Sequence, residues 1–515
     1  MRHIRGLLIL LVGLLAGLVV RHAWGQPPAR TPGVRDDVLY QIMPIAWRHA
    51  GGADSDPSRP GNFEGMVESL DYLRELGVTG TWLTPVFPSP AYHGYQHAEA
   101  DRVNPRLGDE AGFLRFVRGS HSAGMKVFID IVVYGISDAS QTARLARERP
   151  DDDRWLAAGM GPDAVHNGYA YRTWSGDRVG FVRWDLRQAE PRTLVIRWAA
   201  KWLDPNADGD CSDGVDGFRL DQVWPVFPHG PGGWGYSDDV FWAEWYATLR
   251  AIKPDLFCVA EQARWESHGE DLLRHHDAAF TKPFLFAARR SLRSENAADL
   301  YTSMDATLAA LAPHAASGRT FLCTLGDHDV DRLASAIGAD SPETFGRARA
   351  AAAVLLLQPF PPVIYYGDEI GMLGREAHYG GDANDIHRRE PMKWLRVAGP
   401  PMSHYTVLHH KAHASLASAD ADGRSVEEQV GVPGSLLETY RTLIRLRRGT
   451  PALRHGGYTP VTTDQPGVWC FDRDLQGASL RVAINLTGRR LVCTPGEGPT
   501  IEIEPYGYRV VPRED

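Results

Sequence analysis

Short apolar runs alternate with amphipathic stretches along the chain from residue 36 onward. Eight runs have the length of strands and are mostly continuously apolar, as expected for parallel strands that are covered on both faces. These predicted strands span residues 38–44, 80–85, 126–133, 217–223, 256–261, 278–284, 320–325 and 362–366. The helices predicted with them include residues 63–76, 110–123, 193–203, 240–252, 344–357 and 435–447. Eight strand–helix units predict an α/β fold, a (β/α)8 TIM barrel.

Two long segments interrupt this spacing, and the pattern changes near the C-terminus. Residues 135–192 follow the third strand and have weak periodicity, so they predict an inserted subdomain over the barrel mouth. Residues 367–434 follow the eighth strand on the same side of the barrel. Residues 454–515 contain short alternating runs that predict a C-terminal antiparallel β-sandwich. The barrel is therefore predicted to comprise residues 36–134 and 193–453, after a linker at 26–35.

Individual residues predict where some helices begin and end. Gly77 and Gly124 lie where C-caps are expected. Ser341 followed by Pro342 has the pattern of an N-cap with proline in the first turn of the next helix.

Composition and charge exclude several classes of protein. With 515 residues, 43% of them apolar, the chain is neither disordered nor collagen-like. The net charge is −9 and the sequence pI is about 6.1, so no nucleic acid partner is expected.

The five cysteines are odd in number and widely spaced, which excludes a disulfide framework or a zinc ribbon. Cys258 and Cys323 are predicted to lie in the core as thiols. Cys470 and Cys493, on separate predicted strands, could either pair or stay reduced.

The first 25 residues have the pattern of a secretory signal peptide. Residues 1–5 are basic, residues 6–20 are apolar, and the small residues Ala23 and Gly25 precede a possible cleavage point. This apolar run is shorter than the about 20 residues that a spanning helix needs. The sequence therefore predicts an exported protein, periplasmic or extracellular. Contact with a membrane is expected only if the segment stays uncleaved as an anchor, an alternative that Arg21 leaves open.

Acidic residues close four of the predicted barrel strands. They are Asp130, Asp221, Glu261 and Asp329, in the third, fourth, fifth and seventh units. In such barrels the active site lies at the C-terminal ends of the strands, where these carboxylates would meet. A single acid there is often a helix cap or one half of a structural ion pair, and we interpret Asp130 in that way. The other three together predict a catalytic site.

Neighbouring residues suggest separate roles for two of these acids. Side chains alternate along a strand, so Arg219 shares a face with Asp221 and is expected to hold that carboxylate ionised, as a nucleophile requires. Val259 and Ala260 precede Glu261, and apolar surroundings favour the protonated carboxyl that a general acid needs.

Several motifs in a fixed order make the chain similar to a known family. The nucleophile strand of that family resembles residues 217–221, and its general acid/base matches Glu261. A His-Asp pair that grips sugar hydroxyls matches His328 and Asp329. Further similarities lie at His93-Gly94-Tyr95, at 362–369 and at 391–394. From about residue 38 to 509, the chain resembles the α-amylase superfamily, glycoside hydrolase family 13, in the manner of neopullulanases and cyclomaltodextrinases.

The resemblance implies a retaining mechanism on an α-glucan or oligosaccharide, with no cofactor required for the chemistry. Asp221 would form a covalent glycosyl-enzyme while Glu261 protonates the leaving oxygen, and Glu261 would then deprotonate water or an acceptor sugar. Asp329 would strengthen its hydrogen bonds to the substrate in the transition state. Arg219 would orient Asp221 bidentately, and His93, Tyr95 and His328 would bind the sugar at the cleavage point. Retention requires that the two carboxyls lie about 5–5.5 Å apart.

Departures from the family pattern bear on the substrate. Tyr134 and Gly135 replace the Asn-His pair of the third-strand motif, which puts a structural calcium and a contact with the 6-hydroxyl of the sugar in doubt. Trp224-Pro225 replaces a Lys-His pair at the acceptor side, where Trp224 could stack on a sugar or serve only in a loop. Asp327 stands where an Asn usually precedes the His-Asp pair. These changes favour a debranching, maltogenic or transferring relative that acts on short α-glucans.

An acidic loop before the fourth strand is the candidate metal site. Asp204, Asn206, Asp208 and Asp210 place oxygen ligands at alternate positions around a glycine, like the start of an EF-hand loop. Val215 stands where the Glu of such a loop is expected. The pattern is compatible with a structural Ca2+ or with a solvated acidic turn.

Two alternatives to a hydrolase or transglycosidase remain at this stage. A trehalose-synthase-like isomerase of α-linked disaccharides would use the same covalent intermediate with water excluded. A non-catalytic carbohydrate-binding protein on the same barrel would explain Tyr134 and Gly135, but not the intact set of acids.

Overall fold

A computed structural model of the protein describes residues 34–50, 59–148, 170–172, 178–183, 186, 188–223, 239–408, 416–496 and 498–513. Eight parallel strands form a closed barrel in this part of the chain. In order around the barrel they are β1 (Leu39–Ile42), β11 (Pro362–Tyr365), β10 (Thr320–Thr324), β9 (Ala278–Phe280), β8 (Phe257–Gln262), β7 (Gly217–Val223), β3 (Lys126–Ile131) and β2 (Gly80–Leu83). The predicted barrel is confirmed, with all eight predicted strands in it.

Helices connect the strands and cover the barrel. The described α-helices are α1 (Pro44–Trp47), α2 (Phe63–Glu68), α3 (Leu70–Leu76), α4 (Glu110–Ser122), α5 (Gln141–Arg147), α6 (Ala189–Leu203), α7 (Asp239–Ile252), α8 (Lys282–Ser294), α9 (Ala298–Leu311), α10 (Leu333–Ala336), α11 (Gly346–Leu357), α12 (Val426–Gln429), α13 (Leu436–Gly449) and α14 (Pro451–His455). Short 3-10 helices span Cys211–Asp213, Glu270–Arg274, Ala312–Ser317, Asp368–Ile370, Gly381–Arg389 and Tyr405–Leu408.

Three predicted element boundaries are wrong for local reasons. The strand predicted at 278–284 ends at Phe280, because Pro283 lies in the first turn of α8. The helix predicted at 63–76 breaks at Ser69, whose hydroxyl donates to the Met66 carbonyl. Ser341 does not cap a helix; it bonds Thr344 within a turn, and α11 begins later, at Gly346.

The glycine C-caps are as predicted. Gly77 ends α3 with a φ of 93°, and Gly124 follows α4 with a φ of 74°. Both residues occupy the left-handed region, where glycine carries no steric penalty.

Alternation along the strands places an apolar layer inside the barrel, directly below the acids. Phe128 and Val259 belong to a buried cluster that also contains Leu39, Trp82, Phe280, Leu322 and Val363. Two residues further along the same strands, and therefore on the same inner face, come Asp130 and Glu261. Phe218 and Leu220 instead pack outward, where the Phe218 ring meets the Trp245 ring of α7. The barrel core therefore supports a polar layer at its C-terminal mouth.

Smaller antiparallel sheets accompany the barrel. After β3, the strands β4 (Gly135–Ser137), β5 (Ala170–Arg172) and β6 (Arg178–Arg183) form a sheet in the order β4-β6-β5. Near the C-terminus, β12 (Gly457–Pro460), β13 (Val468–Leu475), β14 (Ala478–Asn485) and β17 (Tyr508–Pro512) form a four-stranded sheet, beside a β-ribbon of β15 (Leu491–Cys493) and β16 (Ile501–Ile503). The antiparallel character predicted for the C-terminal region is confirmed.

The cysteines are present as thiols. Cys258 and Cys323 are fully buried in the core, as predicted. Cys470 and Cys493 lie in the same apolar cluster of the C-terminal sheets but are not joined by a disulfide. The pairing that the sequence left open is therefore absent for these two described residues.

The N-terminal predictions concern residues that the structure does not describe. The predicted signal peptide at 1–25 and most of the linker at 26–35 lie outside the described residues. Among the helices that are described, none combines the length and the apolar character needed to cross a membrane.

Candidate active site

A cavity of about 230 Å³ opens at the C-terminal mouth of the barrel. It is lined by residues from several strand ends and from the segment after β11: His93, Tyr95, Gln96, Asp221, Gln222, Glu261, His328, Asp329, Asp382, Asp385 and Arg389. All three predicted catalytic acids and three of the predicted sugar-binding residues line it. Arg219 lies beneath the acids and is 2% exposed. Trp224 and Pro225 lie outside the described residues.

The Arg219 guanidinium joins three carboxylates. Its Nη1 donates to Asp130 Oδ1 and Oδ2 at 2.9 and 3.0 Å and to Asp221 Oδ1 at 2.7 Å. Its Nη2 lies 2.9 Å from Glu261 Oε2. Burial lowers the pKa of Arg219, but the surrounding carboxylates outweigh burial and raise that pKa well above its usual value. The guanidinium is therefore a permanent cation, and it fixes Asp221 and Glu261 on the same side of the barrel mouth.

A β-bulge brings these two acids together. Leu220 pairs with Ala260, but Val223 pairs with Gln262, so β7 carries one more residue than β8 at this level. Gln222 lies at this bulge and adopts a φ of 43°. Its backbone N–H donates to Glu261 Oε2 at 2.8 Å. Glu261 is thus bound by a cation and a backbone amide. The apolar surroundings predicted for it are wrong, because Val259 lies one layer below.

The environment of Asp221 agrees with expectation in part. Burial raises its pKa well above the usual value, and although Arg219 opposes the shift, Glu261 and Asp130 add to it. Arg219 therefore favours the ionised form, as predicted, but burial and the two neighbouring carboxylates outweigh its effect on the pKa. The expected bidentate contact is wrong: Arg219 binds only Oδ1, and Oδ2 accepts a hydrogen bond from the Tyr134 hydroxyl at 3.1 Å.

Asp130 anchors the site from below, in agreement with its structural interpretation. Besides Arg219, its Oδ2 accepts from the Tyr95 hydroxyl at 2.8 Å and from Trp82 Nε1 at 3.3 Å. Burial raises the pKa of Asp130 to about 6, against the opposing effect of Arg219. Asp130 therefore holds both the cation and the tyrosine that faces the cavity.

The third acid lies in a different electrostatic environment. Asp329 Oδ1 lies 3.2 Å from Arg389 Nη2, and Oδ2 lies 3.4 Å from His328 Nε2. Burial raises the pKa of Asp329, but His328 and Arg389 together lower it below its usual value. The backbone N–H of Asp329 donates to Asp327, which forms an ion pair with Lys282. Asp329 is therefore held as an anion on the cavity wall.

Aromatic and imidazole rings complete the wall. The rings of Tyr95 and His328 stack at 5.1 Å with an angle of 2° between their planes. His328 Nδ1 is hydrogen-bonded to Gln41 Nε2 at 2.7 Å, and burial lowers the pKa of His328. His93 Nδ1 accepts from the Tyr95 backbone N–H at 3.3 Å, and burial lowers the pKa of His93 well below its usual value. Burial therefore favours the neutral form of both imidazoles, and their ring nitrogens can exchange hydrogen bonds with hydroxyl groups.

The departures at 134 and 135 have separate physical explanations. Gly135 lies at the start of β4, where an added Cβ would come within 2.2 Å of the Val182 carbonyl oxygen and 2.6 Å of the Phe181 ring. A histidine cannot fit there because β6 packs too closely. The side chain of Tyr134, in contrast, reaches Asp221.

Sequence reasoning missed the cavity residues supplied by the segment after β11. Arg389 donates to the His328 carbonyl and the Tyr92 hydroxyl as well as contacting Asp329. Asp385 contacts Arg389 at 3.2 Å. Arg389 lies two positions before the Pro391 motif, which was the signal that could have identified it. Gln222, the residue after the predicted nucleophile, was also missed.

The predicted calcium loop has an internal hydrogen-bond pattern. Asp204 and Asn206 accept from the backbone N–H of Asp208, and Asp208 in turn accepts from that of Asp210. Asp210 caps the 3-10 helix Cys211–Asp213 through the Ser212 N–H. Among the described residues, the only three acidic or histidine side chains whose ligand atoms lie within 4.8 Å of one another are Asp327, His328 and Asp329. The carboxylates of the loop are therefore not gathered as tightly as in a closed metal site.

Replacement of Arg219 with methionine tests the role of the shared cation. The variant leaves three buried carboxylates without their shared cation. We therefore expect the free energy of unfolding at pH 7 to fall by about 3–5 kcal/mol. The loss should be smaller at pH 5, because the raised pKa of Asp130, about 6, leaves that group mostly protonated in the folded protein. Urea unfolding at both pH values measures the two losses.

Arg115→Met is the matched control. Arg115 pairs with Glu64, and both side chains are about half exposed, so this variant should change stability little. Equal losses in the two variants, or a loss for Arg219→Met that does not depend on pH, would contradict the shared-cation account.

The comparisons with known proteins agree with this geometry. Residues 50–456 match the family model described as alpha amylase, catalytic domain. The chain is 24% identical over 499 residues to Alpha-amylase 3 of Dictyoglomus thermophilum, covering 94% of this chain and 90% of the relative. It is 25% identical over 480 residues to Neopullulanase 2 of Thermoactinomyces vulgaris, covering 88% and 70%.

A solved structure shows the same fold. The alpha-amylase from H.orenii superposes with a TM-score of 0.75 at 24% identity, over 93% of this chain and 99% of that one. The family model covers more than half of the chain, and the barrel and its strand-end acids are those that the family resemblance implied. The chain therefore belongs to the α-amylase family of glycoside hydrolases.

Proposed function

We propose that this protein cleaves α-glucosidic bonds in short α-glucans by double displacement, with Asp221 as nucleophile and Glu261 as general acid/base. The observation that carries the proposal is the binding of both carboxylates by one guanidinium at the cavity mouth. In the first step Asp221 attacks the anomeric carbon while the proton of Glu261 passes to the leaving oxygen. In the second step water, activated by Glu261, releases the sugar. This double displacement retains the anomeric configuration.

The other wall residues supply binding and charge stabilisation. Asp329, held as an anion, accepts hydrogen bonds from sugar hydroxyls and stabilises the positive charge that develops on the ring. His328 and His93 provide ring nitrogens for further hydroxyl contacts. Tyr95 offers its ring to the sugar while its hydroxyl is held by Asp130.

The volume of the cavity favours short substrates. About 230 Å³ accommodates roughly one sugar ring, so most of a long chain would have to lie outside the cavity. A transferase or disaccharide isomerase would use the same glycosyl-enzyme but deliver it to an acceptor sugar instead of water. Product analysis with maltooligosaccharides, pullulan, cyclodextrin, sucrose and trehalose separates these outcomes from hydrolysis. The site does not favour the non-catalytic alternative, because all three acids line the cavity and Arg219 binds two of them from beneath.

Asp221→Asn tests the chemistry. Amide nitrogen cannot replace the nucleophilic carboxylate, so we expect turnover to fall by about 10³-fold or more while oligosaccharide binding is retained. Turnover is measured by release of reducing sugar and binding by calorimetry. Asp71→Asn, at an exposed acid of α3, is the control and should leave both quantities unchanged. Wild-type activity in Asp221→Asn, or a wild type that turns over no α-glucoside, would contradict the proposal.

We further propose that the loop at 204–213 binds a structural Ca2+. Asp204, Asn206 and Asp208 supply oxygen ligands, and Asp213 brings a carboxylate within 3.3 Å of Asn206 Nδ2. Desolvation raises the pKa of Asp213, and repulsion from the carboxylates of Asp208 and Asp204 adds to the shift. A divalent cation would relieve it. Asp210 holds the following turn and is not needed as a ligand.

Chelation tests this site. If Ca2+ is bound, EDTA should lower the melting temperature by about 2–5 °C, and excess Ca2+ should restore it. Asp208→Asn should abolish the response. An unchanged melting temperature of the wild type in EDTA would contradict the proposal.

We also propose that the protein is exported. The support is the basic, apolar and small-residue pattern of residues 1–25. Expression of the full chain in a secreting bacterial host should yield a mature protein whose mass lacks about 25 residues. A full-length product in the cytoplasm would contradict export, and a full-length product in the membrane fraction would identify an uncleaved anchor.

A further inference from the structure

Tyr134 lies at the end of β3, beside the nucleophile, and has two hydrogen-bond acceptors. Its hydroxyl is 3.1 Å from Asp221 Oδ2 and 3.1 Å from Gln222 Oε1. The side chain is 2% exposed, and its ring packs against Phe181 of β6 at 5.4 Å. Packing therefore fixes the ring and leaves the hydroxyl between the two acceptors.

The two carboxylate oxygens of Asp221 have donors of different strength. Oδ1 accepts from the charged Arg219 at 2.7 Å, whereas Oδ2 accepts from the neutral Tyr134 hydroxyl at 3.1 Å. Both bonds gain strength from the charge of the carboxylate, but only the bond from Arg219 also has a charged donor, and it is the shorter of the two. Loss of the hydrogen bond to Oδ2 therefore costs less free energy than loss of the bond to Oδ1. Oδ2 is the oxygen available to attack a sugar.

A phenol has a single proton, so Tyr134 can donate fully to only one acceptor at a time. Gln222 Oε1, on a residue at the β-bulge, is a second acceptor at the same distance. The backbone of Gln222 is tied to Glu261 through its N–H. The hydroxyl can therefore rotate from one oxygen to the other without movement of the main chain.

We propose that Tyr134 is a further catalytic residue, whose hydroxyl donates to Asp221 Oδ2 in the free enzyme and to Gln222 Oε1 in the glycosyl-enzyme. In the first step the C1–Oδ2 bond forms while the bond from C1 to the leaving oxygen breaks, and Glu261 gives that oxygen its proton. In the second step water bonds to C1 and gives a proton to Glu261, and the C1–Oδ2 electron pair returns to Asp221. The inference rests on the proposed function.

The direction of the effect follows from the charge on Oδ2. A carboxylate oxygen is a far stronger acceptor than an ester oxygen, so the Tyr134 hydroxyl stabilises the free nucleophile relative to the glycosyl-enzyme. It therefore speeds the breakdown of the intermediate. Without it, the glycosyl-enzyme should accumulate.

Tyr134→Phe is the principal test, with α-glucosyl fluoride as substrate. The ring that packs against Phe181 is retained and only the hydroxyl is lost. We expect kcat and KM to fall together by about 10-fold, with a burst of fluoride close to one equivalent per enzyme. The acidic limb of kcat/KM should also move to higher pH, because loss of the donor raises the pKa of Asp221. If Tyr134 had only a structural role, neither the size of the fluoride burst nor the pH of the acidic limb of kcat/KM would change.

Tyr72→Phe is the matched control. The Tyr72 hydroxyl donates to the buried carboxylate of Glu369 at 2.6 Å, and neither residue lines the cavity. This variant should lose thermal stability but keep the kinetic parameters and pH profile of the wild type.

Gln222→Met provides an independent readout if Tyr134→Phe does not fold. It retains the backbone N–H that binds Glu261 but removes the second acceptor, so the glycosyl-enzyme should be less populated and KM should rise. If KM and the fluoride burst are unchanged in Tyr134→Phe, the proposed role of Tyr134 is wrong, although the proposed function can still hold. If Tyr134→Phe does not fold, an unchanged KM in Gln222→Met has the same meaning. A wild type that turns over no α-glucoside, α-glucosyl fluoride included, would instead overturn the proposed function.

Discussion

The Arg219 guanidinium contacts three carboxylates at once, and the geometry of the barrel mouth depends on that sharing. Asp130 binds it from β3, Asp221 from its own strand and Glu261 from β8. Buried carboxylates would repel one another without a cation, and a buried cation would be costly without them. The guanidinium has several donors in a fixed plane, so it sets the relative positions of its partners as well as offsetting their charge. Three strands are therefore linked at the level where substrate would bind.

Charge is distributed unevenly around the cavity, and this separates the acids by function. Around Arg219, burial raises the pKa of Asp221 and of Asp130, and neighbouring carboxylates add to the shift although Arg219 opposes it. Across the cavity, His328 and Arg389 outweigh burial and lower the pKa of Asp329. Groups whose environments push their pKa values apart are typical of acid–base sites. The two sides of the cavity therefore differ: burial opposes the negative charge of Asp221 and Asp130 beside Arg219, whereas Asp329 presents a fixed anion to the sugar.

The barrel and the strand-end acids could be predicted because both are local properties of the sequence. Strand periodicity alone placed Arg219 and Asp221 on one face, and it placed Phe218 outside. The register shift at Gln222 could not be predicted, since it depends on how β7 pairs with β8. The prediction of apolar surroundings for Glu261 was wrong for the same reason. Arg389 reaches Asp329 across 60 positions, and no local pattern encodes such a contact.

We propose that Asp221 and Glu261 act as the nucleophile and the acid/base of a double displacement. The anomeric configuration of the first-formed product distinguishes this mechanism from a single displacement. Proton NMR during the first turnovers of a 4-nitrophenyl α-maltoside, recorded before mutarotation, reports that configuration. With double displacement, we expect the α-anomer to appear first and the β-anomer only as the solution equilibrates. Initial appearance of the β-anomer would show a single displacement and contradict it.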